Sequence, residues 1–137
     1  MIKIEIEALL PDFEKMEFTD TYDKIGRYLE LSIKRNFAEG GRPNTWQPLK
    51  KTGQPSHLFK TGKMFNDVTF DSGEDYAEAG MLFHQEVWYW VHQYGSAKRN
   101  IPIREYILFQ DEDIDFILNE FETDIVNFWD TKGELIN

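Results

Sequence analysis

The sequence predicts an α+β fold in which two long helices pack on one face of a small antiparallel sheet, with a long loop after the first helix. Three observations lead to this prediction. Apolar residues alternate with charged ones at Ile2–Ile6, two apolar runs flank the turn residues 71–74, and two segments carry helical apolar periodicity. At 137 residues the chain has the usual length of one domain, so we expect residues 1–137 to form a single domain.

The first predicted elements are a strand and a long helix. The alternation at Ile2–Ile6 is typical of a half-buried strand. The helix is predicted over residues 20–37, with Asp20 as its N-cap and Gly40–Gly41 as its stop signal. Its apolar residues recur at spacings of three or four and share one face. They are Tyr22, Ile25, Leu29, Ile33 and Phe37.

Residues 38–62 are predicted to form a long loop. They hold three of the five prolines and four of the nine glycines, and they show no apolar periodicity. Loops of this length in compact domains are usually functional or disordered until bound. We therefore expect residues 39–61 to be exposed and mobile, and to gain order on binding a partner.

The second half of the chain is predicted to contain a hairpin and two more helices. Strands are expected at residues 64–70 and 76–83 around the turn. A short helix should end at Gly95, followed by a basic loop and an extended segment over residues 101–109. The last helix is predicted over residues 111–129, with Asp111 as its N-cap.

Charge is distributed unevenly along the chain. The net charge is −10, which argues against general affinity for nucleic acid. Residues 34–63 nevertheless carry seven basic side chains against one acid, whereas residues 105–137 carry ten acids against one lysine. This layout favours either attraction within one molecule or head-to-tail contacts between copies. The residues predicted to contact a partner are Trp46, Leu49, Lys50, Lys51 and Phe59.

No pattern of catalytic, cofactor-binding or metal-ligating residues is present in the sequence. There is no cysteine, and the three histidines lack the spacing of a helical metal site. Gly62–Lys63 lacks both the upstream glycine and the following Ser or Thr of a phosphate-binding loop. No apolar run is long enough to span a bilayer, and the first residues do not follow the pattern of a signal peptide. We therefore expect neither an enzyme nor a membrane protein.

Residues 89–95 combine aromatic side chains with His92 and Gln93. Unpaired buried polar groups are costly, so at least one of these two is expected to be buried and hydrogen-bonded to backbone near Arg104 or residues 96–100. The aromatic residues around them are interpreted as volume packed against the sheet. The alternative is that they stack on nucleic-acid bases beside the basic 34–63 segment.

Three stretches of the chain together resemble the phage virion morphogenesis family, whose members are tail-completion proteins. The first is the loop from Arg42 to Thr52, which contains Trp46-Gln47-Pro48-Leu49. The second is Leu58 to Met64, in which a Thr-Gly pair precedes the expected strand. The third contains a His-Gln-aromatic-Gly motif and, after a short basic loop, a proline, an arginine and an aromatic residue. Its structural residues are His92, Gln93, Gly95, Pro102 and Arg104.

The resemblance implies a structural protein that acts in tail completion and head-tail joining through protein contacts. It also implies no enzymatic activity, no cofactor and no specific nucleic acid. The implied partners are phage tail and head-tail connector proteins, with further copies of the chain in a ring. The implied location is the virion, after synthesis in the cytoplasm of the bacterial host. A small nucleic-acid-binding module remains the alternative hypothesis.

Overall fold

The computed structural model describes residues 16–83 and 86–136, with side chains described as far as residue 130. Helix α1 spans Thr19–Glu39 and a short helix α2 spans Lys63–Asp67. Strands β1 (Thr69–Ser72) and β2 (Ala77–Gly80) follow, and then helices α3 (Val87–Tyr94) and α4 (Asp111–Ile136). The strand predicted at Ile2–Ile6 lies outside the described residues. The α+β class, the two long helices and the loop between them are confirmed.

Helix α1 forms the centre of the described structure because it meets both the sheet and α4. Its predicted apolar stripe is the buried face, with Ile25, Ile33 and Phe37 at most 5% exposed. Gly26 on the same helix lets the Phe70 ring of β1 come so close that a Cβ there would lie 2.6 Å from Cδ2. Gly40 ends the helix in the left-handed conformation at φ 72°, as the sequence predicted.

Helix α4 packs along α1 through aromatic rings and polar pairs. Tyr28 stacks on Phe116 with ring centroids 4.0 Å apart, and Phe121 meets Tyr22 edge-on at 5.4 Å. The hydroxyl of Thr21 donates to the carboxylate of Asp124. Helix α4 continues to Ile136 rather than ending at residue 129.

Strands β1 and β2 form an antiparallel pair in which Phe70 lies opposite Ala79 and Asp71 lies opposite Glu78. The turn is closed by a hydrogen bond from the amide of Gly73 to the carbonyl of Tyr76, 3.0 Å long. The buried apolar cluster lies between this hairpin, α1, α3 and the extended segment before α4. Its fully packed members are Ile33, Phe37, Trp46, Val68, Met81, Tyr89 and Tyr106.

The predicted start of the first hairpin strand is wrong. The residues expected to begin a strand at residue 64 form α2 instead, so β1 starts only at Thr69. Lys63 stabilises this turn of helix, because its ammonium group donates to Asp67 across one turn at 2.9 Å and to Glu86 at 2.6 Å. The phenol of Tyr89 accepts a third bond from the same ammonium group, at 2.9 Å.

The two predicted N-caps are also wrong. The residue before α1 is Phe18, which makes no side-chain capping bond, and Asp20 lies inside the first turn. Before α4, the amide of Gln110 donates to the Asp113 carboxylate at 2.8 Å. Asp113, three residues into the helix, therefore carries the capping interaction predicted for Asp111.

Candidate functional site

Helix α3 has one buried and one exposed face. Tyr89 and Gln93, one turn apart, are 1% and 5% exposed. Val87, Trp90 and Tyr94 lie on the opposite side and are 63%, 39% and 68% exposed. The interpretation of Trp88, Trp90 and Tyr94 as buried volume is therefore wrong, since only Tyr89 of the aromatic residues in this helix is buried.

The side chain of Gln93 joins α3 to the extended segment before α4. Its Oε1 accepts hydrogen bonds from the amides of Tyr106 and Ile107, each 3.0 Å long. Its Nε2 donates to the carbonyl of Ile107 at 2.7 Å. The side-chain amide of Gln93 therefore bonds to the backbone of the extended segment in the way a peptide group of a neighbouring strand would, and it holds α3 against that segment. The prediction that one of the two polar residues would be buried and bonded to backbone near Arg104 is confirmed for Gln93.

Tyr106 completes this connection from the other side. Its side chain is fully buried, and its hydroxyl donates to the carbonyl of Tyr89 at 2.7 Å. Burial, together with the neighbouring phenols of Tyr89 and Tyr94, raises the pKa of Tyr106, so it stays a neutral hydrogen-bond donor.

Arg104 attaches the long loop to α3. Its guanidinium donates to the carbonyl of Gln47 through Nε at 3.1 Å and Nη2 at 3.0 Å, and to the carbonyl of Pro48 at 3.2 Å. Its amide donates to the carbonyl of His92 at 2.8 Å. The residue is 6% exposed, and burial lowers the pKa of the guanidinium. Arg104 is thus a structural residue that holds three chain segments together.

His92 differs from Gln93 in its contacts. Its ring is half-buried, and Nδ1 is buried without a hydrogen-bond partner among the described residues. Burial and the nearby Arg104 cation both lower the pKa of His92, because each disfavours the charged imidazolium.

The lowered pKa of His92 predicts a pH dependence of stability. Below its ordinary pKa of 6.5 the unfolded chain binds a proton at this residue that the folded protein resists, so the free energy of unfolding falls as the pH falls. As the pH is lowered from about 7.5 to 5.5, we expect the free energy of unfolding to fall less in His92→Leu than in the wild type. Urea unfolding at several pH values measures the difference in unfolding free energy between the two proteins. The contributions of titrating groups that both proteins contain cancel in this difference. A difference that does not change with pH would contradict the assignment.

Gly95 and Pro102 shape the loop between α3 and the extended segment. Gly95 has φ 74° and ψ 173°, and a Cβ there would lie 2.8 Å from Cγ1 of Ile103 and 3.1 Å from its amide nitrogen. Only glycine fits this position, both for its conformation and for its space. Ser96 and Ile101 close the loop by a pair of backbone bonds of 2.9 Å, and the half-buried Pro102 follows directly.

The predicted partner-contact residues separate into one buried side chain and four accessible ones. Trp46 is 7% exposed and packs in the core, and its indole Nε1 donates to the carbonyl of Glu105 at 3.2 Å. Leu49 and Phe59 are 44% and 54% exposed. Lys50 and Lys51 are exposed as well, and the ammonium group of Lys50 donates to the carbonyl of Asn100. Trp46 therefore attaches the loop, Lys50 contacts the loop after α3, and Leu49, Lys51 and Phe59 are exposed.

The long loop has no regular element, as predicted, but it is attached at several points. Besides Trp46 and the Arg104 contacts, His57 Nδ1 lies 2.8 Å from the carbonyl of Phe37, and Ser56 is buried. The loop therefore presents its basic and apolar side chains from fixed attachment points.

An exposed apolar surface surrounds the outer face of α3, and we call it the aromatic face. It consists of Phe83, Val87, Trp90 and Tyr94. Trp90 and Tyr94 stack with ring centroids 6.2 Å apart, and Phe83 is 73% exposed. A groove of about 500 Å³ runs beside it, and Asp71 and Glu78 lie among its lining residues. Contiguous exposed aromatic side chains of this kind mark interaction surfaces.

A second group of buried polar residues was missed by sequence reasoning. Arg42 donates through Nη2 to the carbonyl and hydroxyl of Ser32 at 2.7 and 2.8 Å, and through Nε to Oδ1 of Asn36 at 2.8 Å. Ser32 donates in turn to the fully buried carboxylate of Asp113 at 2.7 Å. Arg42 also pairs with the carboxylate of Glu112. We call these five residues the Arg42 network, and it joins α1, the loop and α4.

Neither a membrane-spanning helix nor a metal cluster is found in the described part of the chain. No helix there is long and apolar enough to cross a bilayer. No group of three or more histidine, aspartate or glutamate side chains within residues 16–83 and 86–130 is arranged to hold a metal ion.

Comparison with known protein families gives a match over most of the chain. Residues 5–125 match the model of the phage virion morphogenesis family. No curated protein and no solved structure matches the chain.

Proposed function

The chain belongs to the phage virion morphogenesis family, and from this we propose that it is a structural protein of tail completion that helps to join tail and head. It would act through protein contacts, with residues 1–137 as a single domain and without a cofactor or a catalytic site. Its partners would be tail and head-tail connector proteins and further copies of itself in a ring. Its location would be the virion, after synthesis in the cytoplasm of the bacterial host.

The observation that carries this proposal is the amount of apolar side chain left at the surface in two places. The aromatic face covers the outer side of α3, and Leu49 and Phe59 project from the long loop. Aromatic residues are enriched where protein interfaces form, and neighbouring charged residues are then found at the rim. Both surfaces have this composition, since Asp71 and Glu78 lie beside the first, and Lys50 and Lys51 beside the second.

The charge layout supports contacts between copies. Part of the basic segment is used internally, because Arg35 and Arg42 both pair with Glu112 of α4. Lys50 and Lys51 form no ion pair with any described residue. Lys50 donates only to a neutral carbonyl, that of Asn100, so both cations can attract acidic groups on a neighbouring molecule, which would speed docking and set its register.

Reversing the charge of Lys50 and Lys51 tests this proposal. We expect Lys50→Glu with Lys51→Glu to weaken self-association or partner binding roughly three- to tenfold at low salt, because two rim attractions become repulsions. The loss should shrink at high salt, where screening already removes the attraction. Sedimentation of the protein alone and pull-down with tail and connector proteins measure both effects.

The matched control is Lys50→Arg with Lys51→Arg, which keeps both charges and should leave association unchanged. If the double glutamate variant associates like the wild type at low salt, these two lysines have no interface role. A weakening of equal size at low and high salt would point to altered folding of the loop rather than to lost attraction.

A further inference from the structure

An exposed apolar stripe runs along helix α4. Ile114, Leu118 and Ile125 are 46%, 60% and 38% exposed. Their spacings of four and seven residues bring them to one face of the helix, over a length of about 16 Å. The residues through which α4 contacts α1 lie to one side of this stripe. They are Asp113, Phe116, Glu120, Phe121 and Asp124.

A row of acidic residues lies on the other side of the stripe. Asp111, Asp115 and Glu122 each precede a residue of the stripe by three positions, so the two sets run side by side on the helix surface. All three carboxylates are exposed, and none forms a salt bridge within residues 16–83 and 86–130. Apolar side chains next to a charged rim are typical of protein interfaces. We call the stripe and the acidic row together the α4 surface.

A second surface is formed where the tip of the long loop meets the loop after α3. The tip is a tight turn, closed by a bond of 2.8 Å from the amide of Gly53 to the carbonyl of Leu49. The turn presents Lys50 and Lys51, and Lys50 donates to the carbonyl of Asn100. We call the exposed side chains of the two loops the basic patch. It consists of Leu49, Lys50, Lys51, Lys98, Arg99 and Ile103.

The basic patch has the composition of the α4 surface with the opposite charge. Its apolar members, Leu49 and Ile103, are 44% and 63% exposed. Each is next in sequence to one partner of the 3.2 Å hydrogen bond between Arg104 and Pro48, so both lie where the two loops meet. None of the four cations of the patch forms a salt bridge with a residue that the structure describes.

We propose that the α4 surface of one molecule is the docking site for the basic patch of a second copy. This inference rests on the proposed function and names the two surfaces of its contact between copies. Three carboxylates beside an apolar stripe would meet four cations beside two apolar side chains, so charge and apolar area both match. Two α4 surfaces, or two basic patches, would instead place like charges opposite one another, which selects against contacts between identical surfaces.

Mixing two charge-reversed proteins tests the pairing. One variant carries Lys50→Glu with Lys51→Glu, and the other carries Asp115→Lys with Glu122→Lys. At low salt we expect each alone to self-associate roughly three- to tenfold more weakly than the wild type. Their mixture should associate again, because the second variant keeps the native basic patch and the first keeps the native α4 surface. Sedimentation of each protein and of the mixture measures this recovery, which attraction within one molecule could not produce.

The control variant carries Glu74→Lys with Asp75→Lys at the exposed tip of the hairpin. It changes the net charge as much as the α4 variant does, and it should self-associate like the wild type. An equal loss of association in this control would overturn the pairing. So would a mixture of the two charge-reversed variants that associates as weakly as its components.

Leu118→Ser tests the apolar part of the contact. We expect it to weaken self-association about fivefold at low and at high salt, because screening does not affect apolar burial. Its melting temperature should match that of the wild type, since the side chain is 60% exposed. The control is Leu31→Ser on α1, where the side chain is 66% exposed, and it should leave association unchanged. Equal effects of the two substitutions would show that the stripe is not the docking site.

Pull-down with tail and connector proteins separates a failure of this inference from a failure of the proposed function. If the wild type captures those proteins but does not self-associate, the inference is wrong and the proposed function stands. If it self-associates through these two surfaces but captures none of those proteins, the inference stands and the role in tail completion is wrong.

Discussion

Replacing Arg42 by methionine is expected to lower the free energy of unfolding by about 2–4 kcal/mol, because buried groups are left without hydrogen-bond partners. The side chain of Arg42 is 9% exposed, pairs with Glu112 and is linked to the fully buried Asp113 through Ser32. Methionine keeps much of the volume but removes the charge, so Glu112 loses its ion-pair partner. The carbonyl of Ser32 and Oδ1 of Asn36 would also lose their donor.

Urea unfolding followed by circular dichroism measures this loss, and Arg35→Met is the matched control. Arg35 also pairs with Glu112, but its side chain is 56% exposed, so its removal should cost at most about 1 kcal/mol. Equal effects of the two substitutions would show that burial of the Arg42 network does not determine its contribution to stability.

The sequence predicted those parts of the fold that follow from apolar periodicity. The stripe through Ile25, Ile33 and Phe37 identified both α1 and its buried face. The same reasoning failed at residues 63–67, where a short apolar stretch reads equally well as strand or helix. There the helix is stabilised by the contacts of Lys63 with Asp67 and Glu86. Glu86 lies too far along the sequence for a local pattern to show this contact.

The Arg42 network could not be predicted because its residue types are usually exposed. Ser32 and Asn36 lie one turn apart, each directly before a residue of the apolar stripe, so they share the edge of the buried face. That spacing was a usable signal. Their partners on the loop and on α4, however, are brought together only by tertiary packing, which no sequence spacing shows.

At the candidate site, the sequence identified the right segment and part of its chemistry. Gln93 is buried and hydrogen-bonded as predicted for one of the two polar residues, because a polar residue inside an apolar segment needs partners. For His92, Nδ1 finds no hydrogen-bond partner in the described part of the chain, so Gln93 alone makes the predicted contacts. The sequence also did not reveal that Trp90 and Tyr94 face outward. Aromatic residues suit cores and interfaces equally, so composition cannot separate these two roles.

The second large effect is expected at Gln93. We expect Gln93→Leu to lower the free energy of unfolding by about 2–4 kcal/mol, because leucine fills a similar volume but leaves two buried amides and one carbonyl without partners. Those groups belong to Tyr106 and Ile107, so the loss would act on the segment that joins α3 to α4. The segment also carries Arg104, and weakening it should loosen the attachment of the long loop.

Two measurements separate this explanation from a general loss of packing. Gln54→Leu is the control, because that side chain is exposed and only its backbone is bonded, and it should change stability by less than about 0.5 kcal/mol. The contacts of Arg104 with Gln47 and Pro48 depend on the extended segment that Gln93 holds in place. In Gln93→Leu, a protease should therefore cleave faster at Lys50 and Lys51, even under conditions in which the protein remains folded. If stability falls while cleavage at these lysines keeps its wild-type rate, Gln93 supports the core alone and the loop is attached independently of it.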